Sequence, residues 1–139
     1  MTSLLGKWTY RSFHNNPTPV TGDAQTALGL FFAEAVFSFS QATDTTIKGA
    51  IDWEGGGLDV AGTVTQPGGT SLLTLHMVGS GRPGTGTDSW EYDYHGSLAC
   101  QWPNGIGQVP ALVGSVIRAK PHGAAPAGYV ASFVAVKQP

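Results

Sequence analysis

The sequence predicts an all-β fold, an eight-stranded antiparallel up-and-down β-barrel. Three observations lead to it. Eight short segments alternate apolar and polar residues with a period of two. They are separated by breaker-rich stretches that draw on 20 glycines and 9 prolines. No stretch is bracketed by convincing helix start and stop signals, TGDAQTALGLFFAEA being the one weak candidate. Eight strands joined mostly by tight turns must hide two open edges, and closure into a barrel removes them. A Greek-key β-sandwich is the alternative, favoured if the long connections at residues 15–27 and 100–110 cross between sheets.

The elements follow in order. The first strand, Gly6 to His14, carries Trp8, Tyr10, Ser12 and His14 on one face and stops at Asn15-Asn16-Pro17. The second, Leu28 to Ser40, presents Phe31, Ala33, Ala35, Phe37 and Phe39 to the core, with Phe32 on the opposite face. The third, Thr45 to Glu54, aligns Ile47, Gly49, Ile51 and Trp53. A triple glycine, Gly55 to Gly57, turns it into a fourth, Leu58 to Thr65, with Leu58, Val60, Gly62 and Val64 inward. A turn at Pro67 to Gly69 leads to the fifth, Ser71 to Gly79, and the stretch Ser80 to Asp88 reads as a mobile rim loop. The sixth, Trp90 to Leu98, sets Trp90, Tyr92 and Tyr94 against Glu91, Asp93 and His95. The seventh and eighth span Ala111 to Lys120 and Tyr129 to Lys137. At 139 residues the chain has the commonest size for one domain, so residues 1–139 are expected to form a single barrel.

Composition excludes several functions. Only 12% of residues are charged, about half the usual share, which favours a homo-oligomer. A net charge of −2 with scattered Lys and Arg lacks the footprint of nucleic-acid binding. No apolar run approaches ~20 residues, so no membrane span is expected, and no signal peptide is evident. The single Cys100 excludes an internal disulfide, and a cytoplasmic location is the expectation.

The first strand opens with Gly6-Lys7-Trp8, a GxW motif at the start of the first of eight strands. In this position it resembles the opening of calycin-type barrels, the lipocalins, fatty-acid-binding proteins and avidins. The ending GYVASFVAVK and the aromatic sixth strand extend the avidin-like look. The polar set of the avidin biotin site has no residue-by-residue match here, so biotin binding is not implied. The resemblance implies an open mouth opposite the GxW motif and a habit of binding small, largely apolar molecules. It also implies that Arg118, on a late strand, packs on the motif tryptophan.

Alternate connections of an up-and-down barrel lie at one end. The mouth therefore gathers His14, Asn15 and Asn16 with Trp53 and Glu54, Arg82, Asp88 and Trp90, and His122. Parity from Trp8 adds Tyr10 and Ser12 beside His14 as oriented polar groups on an otherwise apolar wall, while the face of Trp90, Tyr92 and Tyr94 reads as barrel core, a subunit interface or a stacking wall for a ligand. The leading expectation is a binding module for a small apolar or aromatic ligand held by Tyr10, Ser12, His14, Asn15, Trp53, Arg82, Trp90, Tyr92 and Tyr94. A second is an enzyme on the same barrel, a cyclase, isomerase or hydratase in which His14 or Glu54 moves a proton; it requires His14 within reach of Asp52 or Glu54. A third is a lectin-like or structural oligomer using Trp102 and Asn104. The histidines 76, 95 and 122, with Glu91 and Asp93, show no HxH or HxxxH spacing, so ligands would have to converge from separate strands and no metal is expected. The glycine-rich Gly79 to Gly86 lacks a phosphate-loop ending, there is no GxSxG elbow, and Cys100 has no base partner. No cofactor is expected.

Overall fold

The computed structural model describes residues 3–67 and 72–139. Among them eight strands form in chain order: β1 (Gly6–His14), β2 (Phe31–Ala42), β3 (Thr46–Trp53), β4 (Gly56–Thr65), β5 (Thr74–Gly81), β6 (Glu91–Leu98), β7 (Ala111–Arg118) and β8 (Val130–Lys137). Each pairs antiparallel with its successor, and β8 returns to β1 with Trp8 opposite Lys137, so the sheet closes on itself. The order contains no crossover, which rules out the Greek-key alternative. Gly68, Gly69 and the strand start expected at Ser71 lie outside the described residues.

Alternation places the core where parity expects it. Trp8, Tyr10, Ala35, Phe37, Phe39, Ile47, Ile51, Leu58, Val60, Leu75, Met77, Tyr92, Tyr94, Leu112, Val116 and Phe133 are all buried inside the barrel. The base is sealed: the Trp8 indole donates to the Leu4 carbonyl at 2.9 Å, and Leu4 and Leu73 are buried around it. Midway up, Tyr10 stacks on Phe133 at 5.5 Å and meets the edges of Phe37 and Tyr94 at 5.2 and 6.1 Å. This aromatic plug fills the lower half of the barrel and leaves the upper half free.

Two departures from the sequence reading shape the mouth. Residues Ala24–Leu28 form a short helix, α1, capped by Asp23, whose carboxylate accepts from the Gln25 amide and the Thr26 hydroxyl. Strand β2 therefore starts at Phe31 rather than Leu28. Between β1 and β2 the register jumps from Ser12 opposite Ala33 to Phe13 opposite Phe31, leaving Phe32 as the extra residue of a bulge. Parity reverses there. Phe31 turns outward to meet Phe13 at 5.1 Å and is exposed, while Phe32, expected outside, packs against the core.

Candidate functional site

Above the aromatic plug lies an open cavity of about 510 Å³. Its floor is Tyr10, Tyr94, Ile51, Leu58 and Val116; its walls are Phe32, Trp53, Trp90, Tyr92, Arg118 and His122, with Glu34 and Glu54 among its lining acids. Local sequence explains the posture of the two tryptophans. Gly55 takes a φ of 88° in the β3–β4 turn, and Gly56 lies so close to the Trp53 indole that a Cβ would fall 2.7 Å from its ring nitrogen. Trp90 follows Ser89, held at a φ of 70°, and is tied on both sides: its amide donates to the Thr87 carbonyl, and its carbonyl accepts from the Gly81 amide. Thr87 is buried and donates to the Gly57 carbonyl at 2.8 Å. The glycine-rich stretch expected to be a mobile rim loop is thus anchored to the β3–β4 turn.

Trp90 stacks on His122 at 3.7 Å and 10°, and Trp53 lies nearly parallel to Trp90 at 6.2 Å, making a slab of three rings on one wall. Behind it runs a hydrogen-bond chain. Arg118 Nε donates to the Tyr92 hydroxyl at 2.9 Å, and that hydroxyl meets His122 Nε2 at 2.9 Å. The chain is satisfied when Tyr92 donates onward to an unprotonated Nε2, the neutral form of the imidazole. Partial burial, and then the nearby Arg118 charge, hold His122 below the ordinary histidine value, in the same direction. Burial pushes the Tyr10 and Tyr94 phenols well up, so both remain protonated donors at the cavity floor.

Arg118 is the least ordinary group of the site. Its side chain is 9% exposed, lies 5.4 to 5.7 Å from the ring centres of Phe32, Tyr92 and Tyr129, and donates from one terminal nitrogen to the Pro126 carbonyl at 3.2 Å. Among the described residues it has no carboxylate partner, whereas Arg11 pairs with Glu34 and Arg82 with Asp52 and Asp59. A buried cation without a counter-ion is costly unless its hydrogen bonds are met, and the wall of this cavity is where an anionic group would meet them.

The residues expected at the site divide into two groups. Tyr10, Trp53, Glu54, Trp90, Tyr92 and Tyr94 line the cavity. Ser12 is fully buried and donates to the Ala33 carbonyl. His14 stands one layer back, hydrogen-bonded to the Tyr129 hydroxyl and edge-on to Phe32, and Phe32 and Tyr129 stack with each other. Asn15 is outside, accepting from Ser132. Arg82 holds Asp52 and Asp59 on the outer wall, where Gly57 leaves room: a Cβ there would lie 2.4 Å from Asp52 and 2.5 Å from Arg82. His14 has neither Asp52 nor Glu54 as a hydrogen-bond partner among the described residues.

Arg118 does not pack on Trp8. Strand β7 runs toward the mouth, so its last residue ends there, while the cation beside Trp8 is Lys137, its register partner on β8, whose ammonium lies 5.7 Å from the indole and donates to the Ser3 carbonyl. Sequence reading left Arg118, Phe32 and His122 out of the ligand set. The parity Leu112, Gly114, Val116, Arg118 was the available signal for the first; the bulge hid the second.

Fold and site together define a closed up-and-down barrel with a sealed base and an aromatic mouth carrying Arg118, a buried cation with no carboxylate partner among the described residues. Comparisons with protein-family models, with curated proteins and with solved structures found no match for this chain. Among the described residues no helix is long and apolar enough to cross a membrane.

Proposed function

We propose that the protein binds a small molecule with a flat, apolar or aromatic body and an anionic group, inserted into the mouth of the barrel in the manner of calycin-type binders. The observation that carries this reading is the cavity of about 510 Å³, a volume suited to a metabolite-sized ligand, with ring faces on its walls and Arg118 among them. In this pose the ligand body lies against Trp53 and Trp90, and its anionic end accepts from the Arg118 guanidinium. The test is a thermal-shift screen of aromatic carboxylates against neutral isosteres. A ligand at a hundredfold its Kd stabilises by ~2.7 kcal/mol, and carboxylates are expected to exceed their amides. No shift with any aromatic or apolar class would end the proposal.

An enzymatic reading has one specific support: the Tyr92 hydroxyl lines the cavity and is hydrogen-bonded to His122 Nε2, so the pair can take a proton from a ligand through that hydroxyl, Tyr92 passing its own proton to the imidazole. It predicts that a bound ligand exchanges an acidic C–H proton with deuterated solvent, and that His122→Ala abolishes exchange while leaving binding measurable.

Self-association through the lightly charged outer wall accompanies either reading. Val113 and Val134 face each other across β7 and β8 and are exposed, as are Trp102 and Ile106 in the preceding loop. Light scattering that gives a monomer at all concentrations refutes it.

A further inference from the structure

We propose that His76, Asp93 and His95 form a second site, on the outer wall of the barrel, for a divalent transition-metal ion of the zinc, nickel or copper class. The sequence gives these residues no spacing within one segment that signals a metal, but antiparallel pairing supplies it. His76 of β5 stands directly opposite His95 of β6, and Asp93 lies two residues before His95 on the same outward face. One ligand atom from each of the three falls within 4.8 Å of the others.

Several observations favour ligation over a surface accident. The two imidazoles are neighbours, stacked with ring centres 4.1 Å apart and planes at 12°, and because a metal binds in the plane of each ring they reach one shared ion by opening from this stack. The Asp93 carboxylate is 3.8 Å from His76 Nε2, too far for a hydrogen bond, and no lysine or arginine pairs with it among the described residues. The direct cross-strand neighbours of the cluster are Thr63, Val78, Ser115 and Ile117, none of them charged. All three side chains therefore retain free donor atoms. They rise from a hydrogen-bonded ladder that fixes their Cα positions, the rigid support that metal sites use.

The chemistry of the donor set selects the ion. Imidazole nitrogen suits zinc, nickel and copper, whereas magnesium and calcium require oxygen. Zinc bonds of 2.0–2.1 Å place tetrahedral ligands about 3.3 Å apart, so the side chains must close by about 1.5 Å from the widest spacing. His76, at 47% side-chain exposure, and Asp93, at 32%, border solvent into which they can turn. Three protein ligands leave at least one coordination position open to water, beside a groove of about 460 Å³ that Thr63 and Ser115 also line.

The experiment uses untagged protein carrying Cys100→Ser, which removes the exposed thiol as a rival ligand. Zinc and nickel are titrated against a chromophoric chelator, with magnesium as control. One equivalent of zinc per chain is expected, bound at least a hundredfold more tightly than magnesium. His76→Gln and His95→Gln should each weaken it tenfold or more, and Asp93→Asn several-fold, with melting temperatures of the metal-free variants unchanged. In protein without these three substitutions, one equivalent of zinc should shift the ring resonances of His76 and His95 and leave those of His14 and His122 in place. The assignment is overturned if zinc does not saturate at one equivalent, if the histidine variants bind as the parent does, or if the resonances of His14 or His122 move instead.

Discussion

Replacing Gly62 by alanine should cost the barrel about 3 kcal/mol or more, although the change adds a single methyl group. Gly62 is an inward position of β4 paired with Met77 of β5. A Cβ built there falls 1.8 Å from the His76 carbonyl oxygen and 2.7 Å from the Met77 Cα, where real Cβ atoms essentially never come within 3.0 Å. Both obstacles are backbone, so no side chain can swing away, and the two strands must part by roughly 1.2 Å, the difference between the built contact and that limit. Parting stretches the adjacent ladder hydrogen bonds beyond about 3.5 Å, at ~0.5–1.5 kcal/mol each in net terms. It also loosens the packing of Met77 and Val60, where overpacking costs typically ~1–3 kcal/mol. Two such bonds and that strain sum to about 3 kcal/mol, a fall in Tm of about 6–12 °C for a chain of this length. Gly86→Ala is the control: nothing lies within 4 Å of its built Cβ, so stability should hold or rise by up to ~1 kcal/mol through the unfolded chain. Urea unfolding of both variants decides it. If Gly62→Ala loses less than about 1 kcal/mol, or the two behave alike, the close approach of β4 and β5 is not what fixes glycine at that position.

Other expectations bear on the mouth. Arg118→Met should leave the unliganded barrel about as stable, since it removes a buried cation that has no carboxylate partner among the described residues, while binding of anionic ligands falls roughly 10- to 150-fold, the equivalent of ~1.5–3 kcal/mol for a charged hydrogen bond; calorimetry showing equal loss for neutral isosteres contradicts the charge role. The His122 ring, followed by NMR, should titrate below the ordinary histidine value of ~6.5. Its folded form binds its proton less readily than the unfolded chain does, so its contribution to stability is complete above that value and is lost as the pH falls below it. A midpoint at or above ~6.5 contradicts the neutral assignment. Tyr10 and Tyr94 behave in the opposite sense. Burial favours their protonated form, so the unfolded chain releases these protons first and stability is lost as the pH rises above ~10. An ultraviolet titration in which all tyrosines ionise together near pH 10, with the protein still folded, would show that the plug is not sealed.

How far the site could be read in advance differs from residue to residue. Tyr10 and Trp53 were legible because each occupies an inward parity position on a strand that runs to the mouth, and period-two alternation is a local property of the chain. Trp90, Tyr92 and Tyr94 share one face in the same alternation, but that this face is inward follows only from the pairing of β6 with β5 and β7. Arg82 and Asn15 lie at the same end but beyond strand parity, in or beside connections. Their direction depends on what they meet: Asp52 and Asp59 draw Arg82 outward, and Ser132 holds Asn15. His14 keeps the parity expected of it, but the inserted Phe32 stacks on Tyr129 in front of it and separates it from the cavity.

Alternation, breakers and turn chemistry determined eight strands, their order and most of the core, because each of these is set by neighbours along the chain. The bulge at Phe32, the direction of the rim side chains, the meeting of Arg118 with Tyr92 and His122, and the outward cluster of His76, Asp93 and His95 were decided only by closure. Register across strands far apart in sequence is a global condition, satisfied once by the whole barrel, and a one-residue shift in it reverses which side chains face in.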